Sequence, residues 1–442
     1  MSGPTDTGAA VGFDGWLPSD DRAPGLDWLE GLRASARSRV RDQGVPSNKQ
    51  EAWRYTSVKR LLEQGFVPAE VAITALQPED IEDVLVSGLD THRVVLVNGR
   101  YLPSLSSLGD LPSGVRVGGL RQILESDPDA LRERLNGVAG EDQPLFAALN
   151  MAGLDDGLVV LMDRGASLER PIELIHLSVG MDEPRVAQPR HIVALEDGAQ
   201  ATLIERYVSL GDSLYCTNSV LELSIGRDAR LKHDRIQSES PNAFHITGLY
   251  LSLGQASRYQ GVNVGLGGAW ARNDLTVRYA GEHAQCDLQG LYLAGNGQLM
   301  DYHLDVVHGI PHCSSRENFK GILYGKGRAV FDGRVYVAKD AQKTDAAMSN
   351  RNLLLSEGAE VDTKPQLEIN ADDVKCSHGT TVGQIEPEML FYLRSRGITA
   401  AVARRMLCLG FAGEILDLLS SDALREQVAE QVGQRLENAV LD

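Results

Sequence analysis

The chain has 442 residues, 61 acidic against 43 basic, and a formal net charge of −18. That length allows two or three domains and a well-buried core. The acidic balance, with no Lys/Arg-rich stripe to neutralise phosphates, argues against nucleic acid or an anionic membrane surface and reads as solubility.

The opening "MSGPTDTGAAVGFDGWLPSDDRAPG" is polar and rich in Gly and Pro, so a loose tail is expected. It has neither the basic n-region nor the apolar h-region of a secretory signal. No uncharged apolar run approaches the roughly 18 residues of a membrane span, and a cytoplasmic protein is expected. Leu26, Leu29, Leu32, Ala36 and Val40 recur at helical spacing. More helix is expected after Ser47, in "NKQEAWRYTSVKRLLEQ". "HRVVLVNGRYL" reads as a strand and turn, and "LRQILESDPDALRERLNG" as helical. Residues 1–150 therefore read as a mixed, mostly helical N-terminal domain.

The pattern changes near Gly157, where short β-rich runs begin to alternate with Gly/Asp/Asn turns. Seven turns look alike, with glycines at 198, 226, 254, 281, 297, 327 and 358. Five of the six steps between them are 27 to 31 residues, and one is 16. Glycine is expected to take these turns at positive φ. A unit of this length cannot bury its own apolar face and stacks on its neighbours, which is the signature of a solenoid. Sandwich strands recur at roughly 8–12 residues, which is too short for this period. Residues 151–385 are expected to form this β-domain, and residues 386–442 a helical one. In the last segment "EPEMLFYLRSRG" reads as a short helix and Thr399 caps the next, "AAVARRMLCLGFAGEILDLL". That helix is apolar nearly all round, so its own chain or a partner must cover it.

No P-loop, G-x-G-x-x-G, G-x-S-x-G or H-E-x-x-H pattern occurs. The five cysteines, Cys216, Cys286, Cys313, Cys376 and Cys408, form no C-x-x-C and are odd in number, so a reducing compartment fits better than a disulfide framework. "DYHLDVVHGIPHCSSR" gathers His303, His308, His312 and Cys313, but strand alternation scatters such side chains. In "ADDVKCSHGTTVG", Cys376 and His378 share one face of a strand with Val374. That face is either the solenoid interior, with the thiol a small buried hydrophobe, or a surface that meets another subunit and offers one or two metal ligands.

The long stretches "AQKTDA", "NRNLLLSEGAEVDTKPQLEI", "ADDVKCSHGTTVG" and "FYLRSRGI" resemble the SufB/SufD family of iron–sulfur cluster assembly proteins. "HGIPHCSSRENFKGIL" fits that family too, and "KQEAWRYTSV" together with "KCSHGTTVG" has the form of its SufD branch. The specific matches cover about the last third of the chain. The resemblance implies a right-handed parallel β-helix flanked by helical domains. It implies a non-catalytic scaffold subunit that pairs with a SufB-like paralogue through the β-helices and docks a SufC-like ABC ATPase on its C-terminal helices; a homodimer in isolation is the other assembly. Tyr392, Leu393, Arg396, Arg405, Met406, Leu409 and Phe411 are the residues assigned to that ATPase face. His378, and less strongly Cys376, are implied to hold iron or a transient iron–sulfur cluster at the paralogue interface. A reduced flavin accompanies the complex in the family, with no residue assigned to it here. The alternative is a β-helix enzyme acting on a polysaccharide or small molecule. That enzyme needs carboxylates or an open metal site aligned along one face, and the sequence offers only the adjacent pair Asp372 and Asp373.

Overall fold

The computed structural model describes residues 12–18, 25–69 and 76–441; much of the stretch read as a loose tail lies outside the described residues. The helical spacing after Leu26 gives α1, Asp27–Gln43, which buries Leu29, Ala36 and Val40. The helix expected after Ser47 is mostly turns, with a 3-10 turn at Glu51–Trp53 and one short helix, α2, at Lys59–Leu62. Tertiary contacts override local propensity there. The Trp53 ring stacks under the Arg272 guanidinium at 3.8 Å, and the Thr56 hydroxyl donates to Asp301 Oδ2 at 2.5 Å. The next helical run is interrupted before Pro128 into α3, Leu120–Ser126, and α4, Asp129–Arg132, as expected where proline restricts the preceding residue. α5, Leu145–Ala152, is buried along its whole length.

The remainder is a parallel β-solenoid of about eight coils. Its strands are β1 His92–Val97, β2 Val115–Gly119, β3 Leu158–Met162, β4 Ile172–Val179, β5 Arg190–Leu195, β6 Gln200–Leu210, β7 Tyr215–Ile225, β8 Arg230–Gln237 and β9 Phe244–Leu253. They continue as β10 Arg258–Gly265, β11 Trp270–Tyr279, β12 Gln285–Ala294, β13 Leu299–His308, β14 Ser314–Leu323, β15 Arg328–Val337, β16 Asp345–Leu354, β17 Glu360–Ile369 and β18 Lys375–Gly383. From β3 onward the odd strands form one sheet and the even strands the other. β1 and β2, from the segment read as a separate N-terminal domain, extend both sheets.

The apolar core fills the lumen between the sheets, from Val94 and Leu158 through Leu249, Leu275 and Phe319 to Met348. Leu249, Leu275 and Leu304 occupy one register position on successive coils, so each coil covers the apolar face of the one before.

The glycines keep the coil period, but mostly for a reason other than φ. Only Gly198 and Gly297 of the seven are left-handed, at 73° and 76°. The rest sit where coils stack too closely for a side chain; a Cβ on Gly327 would stand 2.1 Å from the Ala294 carbonyl oxygen. At the corner before the even strands the left-handed position falls instead on Asp228, Ala256, His283, His312 and Lys343. The anomalous 16-residue step from Gly281 to Gly297 is half a coil, where the series passes from turns entering even strands to turns entering odd ones.

Three helices close the chain: α6 Pro387–Ser395, α7 Ala400–Leu416 and α8 Asp422–Leu441. The Thr399 hydroxyl caps α7 by accepting the Val402 N–H. Ile415 and Leu416 of α7, with Leu424 and Val428 of α8, pack on Ile236, Val264, Leu291 and Ile322, the outer face of the even sheet. Among the described residues no helix is long and apolar enough to cross a membrane.

Candidate functional site at the open end of the solenoid

β17 and β18 are the last strands of their sheets, and each pairs on one side only. Cys376, His378, Thr380 and Val382 stand over Ala346, Met348, Asn350 and Asn352, all buried. Their side chains therefore enter the lumen, and lie open because no further coil covers them among the described residues. On β17 the same holds for Val361, Thr363, Leu367 and Ile369, which stand over Ala329, Phe331, Val335 and Val337. The Thr363 and Thr380 hydroxyls meet across the lumen at 3.1 Å.

The interior reading of Cys376 fits this strand position. Its thiol packs with Val374 against the core and also belongs to the uncovered end. Burial pushes the thiol pKa up, and the Asp345 and Glu317 carboxyls add to the effect, so a bound cation must displace a proton. His378 is exposed beside it. The unpaired edge of β18 contains no proline or bulge to protect it, which makes it a template for a further strand.

The other histidine–cysteine group is dispersed. His303 lies on the outer face of the odd sheet, with Nε2 2.9 Å from Asp301. His308 is buried, stacked on Tyr279 at 4.4 Å and bonded to the Ser315 hydroxyl at 3.0 Å; burial takes its pKa down to about 4. His312 stacks on His283 at the corner, with centroids 5.1 Å apart. The Cys313 thiol is buried and donates to the Gly281 carbonyl at 3.3 Å.

A buried cluster that sequence spacing could not reveal joins His176, His191 and Glu205, whose ligand atoms lie within 4.8 Å of one another. These residues come from three strands and meet only through solenoid register. Lone-pair accounting argues against an ion. His191 Nδ1 accepts the Leu158 N–H at 2.9 Å, which leaves Nε2 to donate to Ser219 at 3.2 Å, so no lone pair is free. Glu205 is held by the Tyr207 hydroxyl at 2.6 Å, by His233 at 3.1 Å and by Arg235 at 3.5 Å, and this network keeps its carboxyl well below the usual range against the cost of burial.

A cleft of about 560 Å³ runs between the N-terminal segment and the odd sheet, lined by Trp53, Phe146, Arg272, His303 and Arg334 with Asp274, Asp305 and Asp332. Register puts Asp274 and Asp332 in one column with His303 between them, and Asp305 in the next column with Thr276 and Arg334. Each is already tied to a cation: Asp274 to Arg272 at 2.9 Å, Asp305 to Arg334 at 3.0 Å, and Asp332 to Lys364 at 3.5 Å.

The C-terminal helices form a second exposed surface. α6 buries none of its residues, and Phe391 and Tyr392 are 73% and 57% exposed. Met406 of α7, 47% exposed, joins Val402 on the outward side. Arg396 lies over the Tyr392 ring at 5.0 Å. Arg405 is paired with Glu437 of α8, and Leu393 is half-buried. Leu409 and Phe411 pack toward the even sheet. There the Lys320 ammonium, without accessible surface, meets Glu414 at 2.6 Å, the Phe411 carbonyl at 2.8 Å and the Phe411 ring at 4.4 Å.

A family model for the SufBD core domain of SUF-system FeS cluster assembly matches residues 177–411, and one for the SufBD N-terminal region matches residues 23–174. The iron–sulfur cluster assembly protein SufD of Escherichia coli (strain K12) is 36% identical over 89% of this chain and 90% of that protein. An iron–sulfur cluster assembly SufBD family protein of Synechocystis is 33% identical over 88% of this chain and 87% of its own. The chloroplastic protein ABCI7 of Arabidopsis thaliana is 32% identical over 91% of this chain and 85% of its own.

Proposed function

The chain belongs to the SufBD family of iron–sulfur cluster assembly proteins, and on that premise we propose that it is a non-catalytic scaffold subunit of a cytoplasmic SUF complex. The open end, with β17 and β18 unpaired, receives the β-solenoid of a SufB-like paralogue. The outward faces of α6 and α7 dock a SufC-like ABC ATPase through Tyr392, Arg396 and Met406; Leu409 and Phe411 support the face from beneath. Iron or a nascent cluster is cargo, held transiently where Cys376 and His378 meet the paralogue. A reduced flavin belongs to the complex rather than to any residue assigned in this chain.

The observation that carries this reading is the uncovered last coil, which brings the thiol and imidazole to a surface shaped for another solenoid. A neutral imidazole is a borderline ligand that releases iron more readily than a thiolate does, which suits a holder that must pass its cargo on.

The test is anaerobic purification of the tagged chain from its native host and native mass spectrometry of the intact assemblies. An ATPase together with a paralogous β-solenoid subunit is expected. A lone monomer at every salt concentration contradicts the reading. His378→Ala is expected to leave that complex intact and lower cluster maturation in cells; unimpaired maturation removes the ligand role.

A further inference from the structure

The outer face of the even sheet is covered along only part of its strands. α7 and α8 pack on Ile236, Val264, Leu291 and Ile322, in the later halves of those strands. The first residues of the same strands stay open. Side chains alternate between the faces of a strand. Leu231 and Tyr259 enter the lumen core, so Arg230, Lys232 and Arg258 point outward, and all three are exposed. With their neighbours they line a trough of about 580 Å³. Register arranges its floor in two columns, Gln200–Arg230–Arg258–Gln285–Ser314 and Thr202–Lys232–Gln260–Asp287–Arg316.

Arg230 and Arg258 are thus direct neighbours on adjoining coils, and like charges in that relation are destabilising. Other arginines of the solenoid face an acid there: Arg328 meets Glu360 at 3.2 Å, and Arg334 meets Asp305 at 3.0 Å. Among the described residues no hydrogen bond or ion pair engages the side chain of Arg230, Lys232 or Arg258. The nearby acids have other partners. Asp234, the next outward residue after Lys232, accepts the Ser420 N–H at 2.8 Å, and Asp287 accepts from Gln289 at 2.5 Å. The fourth cation of the trough, Arg316, is held by Asp345 at 2.9 Å. In a chain of net charge −18, three unpaired cations around a repelling pair are a local inversion of sign. The sequence shows no basic run because the members stand one coil apart, and register assembles them.

The trough crosses six rungs, from Ser167, bridged to Gln200, to Ser314, about 24 Å at about 4.8 Å per rung. The strand backbones direct their N–H groups into the ladders, so no amides converge there on a lone phosphate. Exposed ionic contacts are weak one at a time, and a ligand has to meet several at once. Gln200, Thr202, Gln260 and Gln285 add hydrogen-bonding groups along the length. On the covered half of this face the layer is helical, and a segment laid in the trough would continue that layer.

We propose that this trough is a docking surface for an acidic segment of another protein, whose carboxylates meet Arg230, Lys232 and Arg258 and relieve the repulsion between the stacked arginines. The surface is separate from the open end and from the α6–α7 face, and it does not depend on Cys376 or His378.

The test uses the full-length chain and a fluorescein-labelled oligoglutamate of about 16 residues, the length of a helix spanning the trough at about 1.5 Å per residue. Fluorescence anisotropy is read at low ionic strength and through a salt titration. Binding is expected, weakening steeply with salt, and an oligoglutamine of equal length is expected not to bind. Arg258→Glu turns the repelling rung into an opposite-charge pair. It is expected to keep or raise Tm and to weaken oligoglutamate binding tenfold or more. The triple variant Arg230→Ser/Lys232→Ser/Arg258→Ser is expected to bind as weakly. Removing as many cations elsewhere, in Lys49→Ser/Arg132→Ser/Lys326→Ser, is expected to leave binding unchanged. Wild-type affinity in the folded Arg258→Glu and triple variants, equal loss in the distant triple variant, or no oligoglutamate binding by the wild type overturns the proposal. Inorganic pyrophosphate that binds more tightly than the peptide and is lost with the same three cations assigns the trough to a small anion and overturns the docking role.

Discussion

His308 and Glu317 lie close in sequence and are both buried, yet their pKa values move in opposite directions from their ordinary ranges. Desolvation drives the His308 imidazole down to about 4 and lifts the Glu317 carboxyl from 4.5 to about 8. Stability tied to neutral His308 is present above the unfolded pKa, near 6.5, and is lost as pH falls through about 4. For Glu317 the folded pKa is raised, so its contribution is full below the unfolded value and is lost as pH rises through about 8. At about 1.4 kcal/mol per unit, this alkaline slope amounts to several kcal/mol. Glu317→Gln should therefore flatten the decline in denaturation midpoint between about pH 5 and 8; an unchanged slope contradicts the burial argument. Neither shift was legible in the sequence. Strand parity correctly put Cys376 and His378 on one face, because that rule is local. Whether His303, His308 and His312 face outward, into the lumen or along a corner depends on register with strands about one coil away.

Among the elements, α7 shows how an apolar helix can be half-covered. Its sequence demanded burial without saying by what. The even sheet takes one side, and the key contact is Lys320, an invisible choice in a sequence where lysine usually marks solvent. Removing one member of a buried charge pair is far more disruptive than replacing both by apolar groups. Glu414→Ala should therefore loosen α7, by about 2 kcal/mol given that Glu414 itself is half-exposed, and hydrogen exchange should show faster exchange across Ala400–Leu416. The double variant Lys320→Met/Glu414→Leu should restore protection; continued loosening there assigns the effect to packing instead. The glycine period, by contrast, was fully readable as a coil length. Its φ explanation was not, because close approach between coils selects the same residue as a left-handed turn.

At the scale of the molecule, the two ends of the solenoid differ. β2 pairs antiparallel with β3, and Arg100–Tyr101 folds back on β1, so the first coils finish in antiparallel strands beside the N-terminal helices. Among the described residues the last coil has no such cover. Val382 points into the lumen there and is 46% exposed. Val382→Lys places a charge in the proposed contact surface without crowding the closed coils. It should leave Tm near that of the wild type and abolish pairing with the paralogue, while the α6–α7 face still captures the ATPase in a pull-down. Loss of both partners together would mean that the two surfaces are not separate.

That asymmetry also fixes how far stacking can go. In the proposed pairing through open ends, this chain covers the coil that its described residues leave uncovered and keeps its antiparallel-finished end at the far side. In that pairing the β18 edge is taken up by the first partner, so an exposed edge of the kind that seeds fibres serves as a single-use coupling.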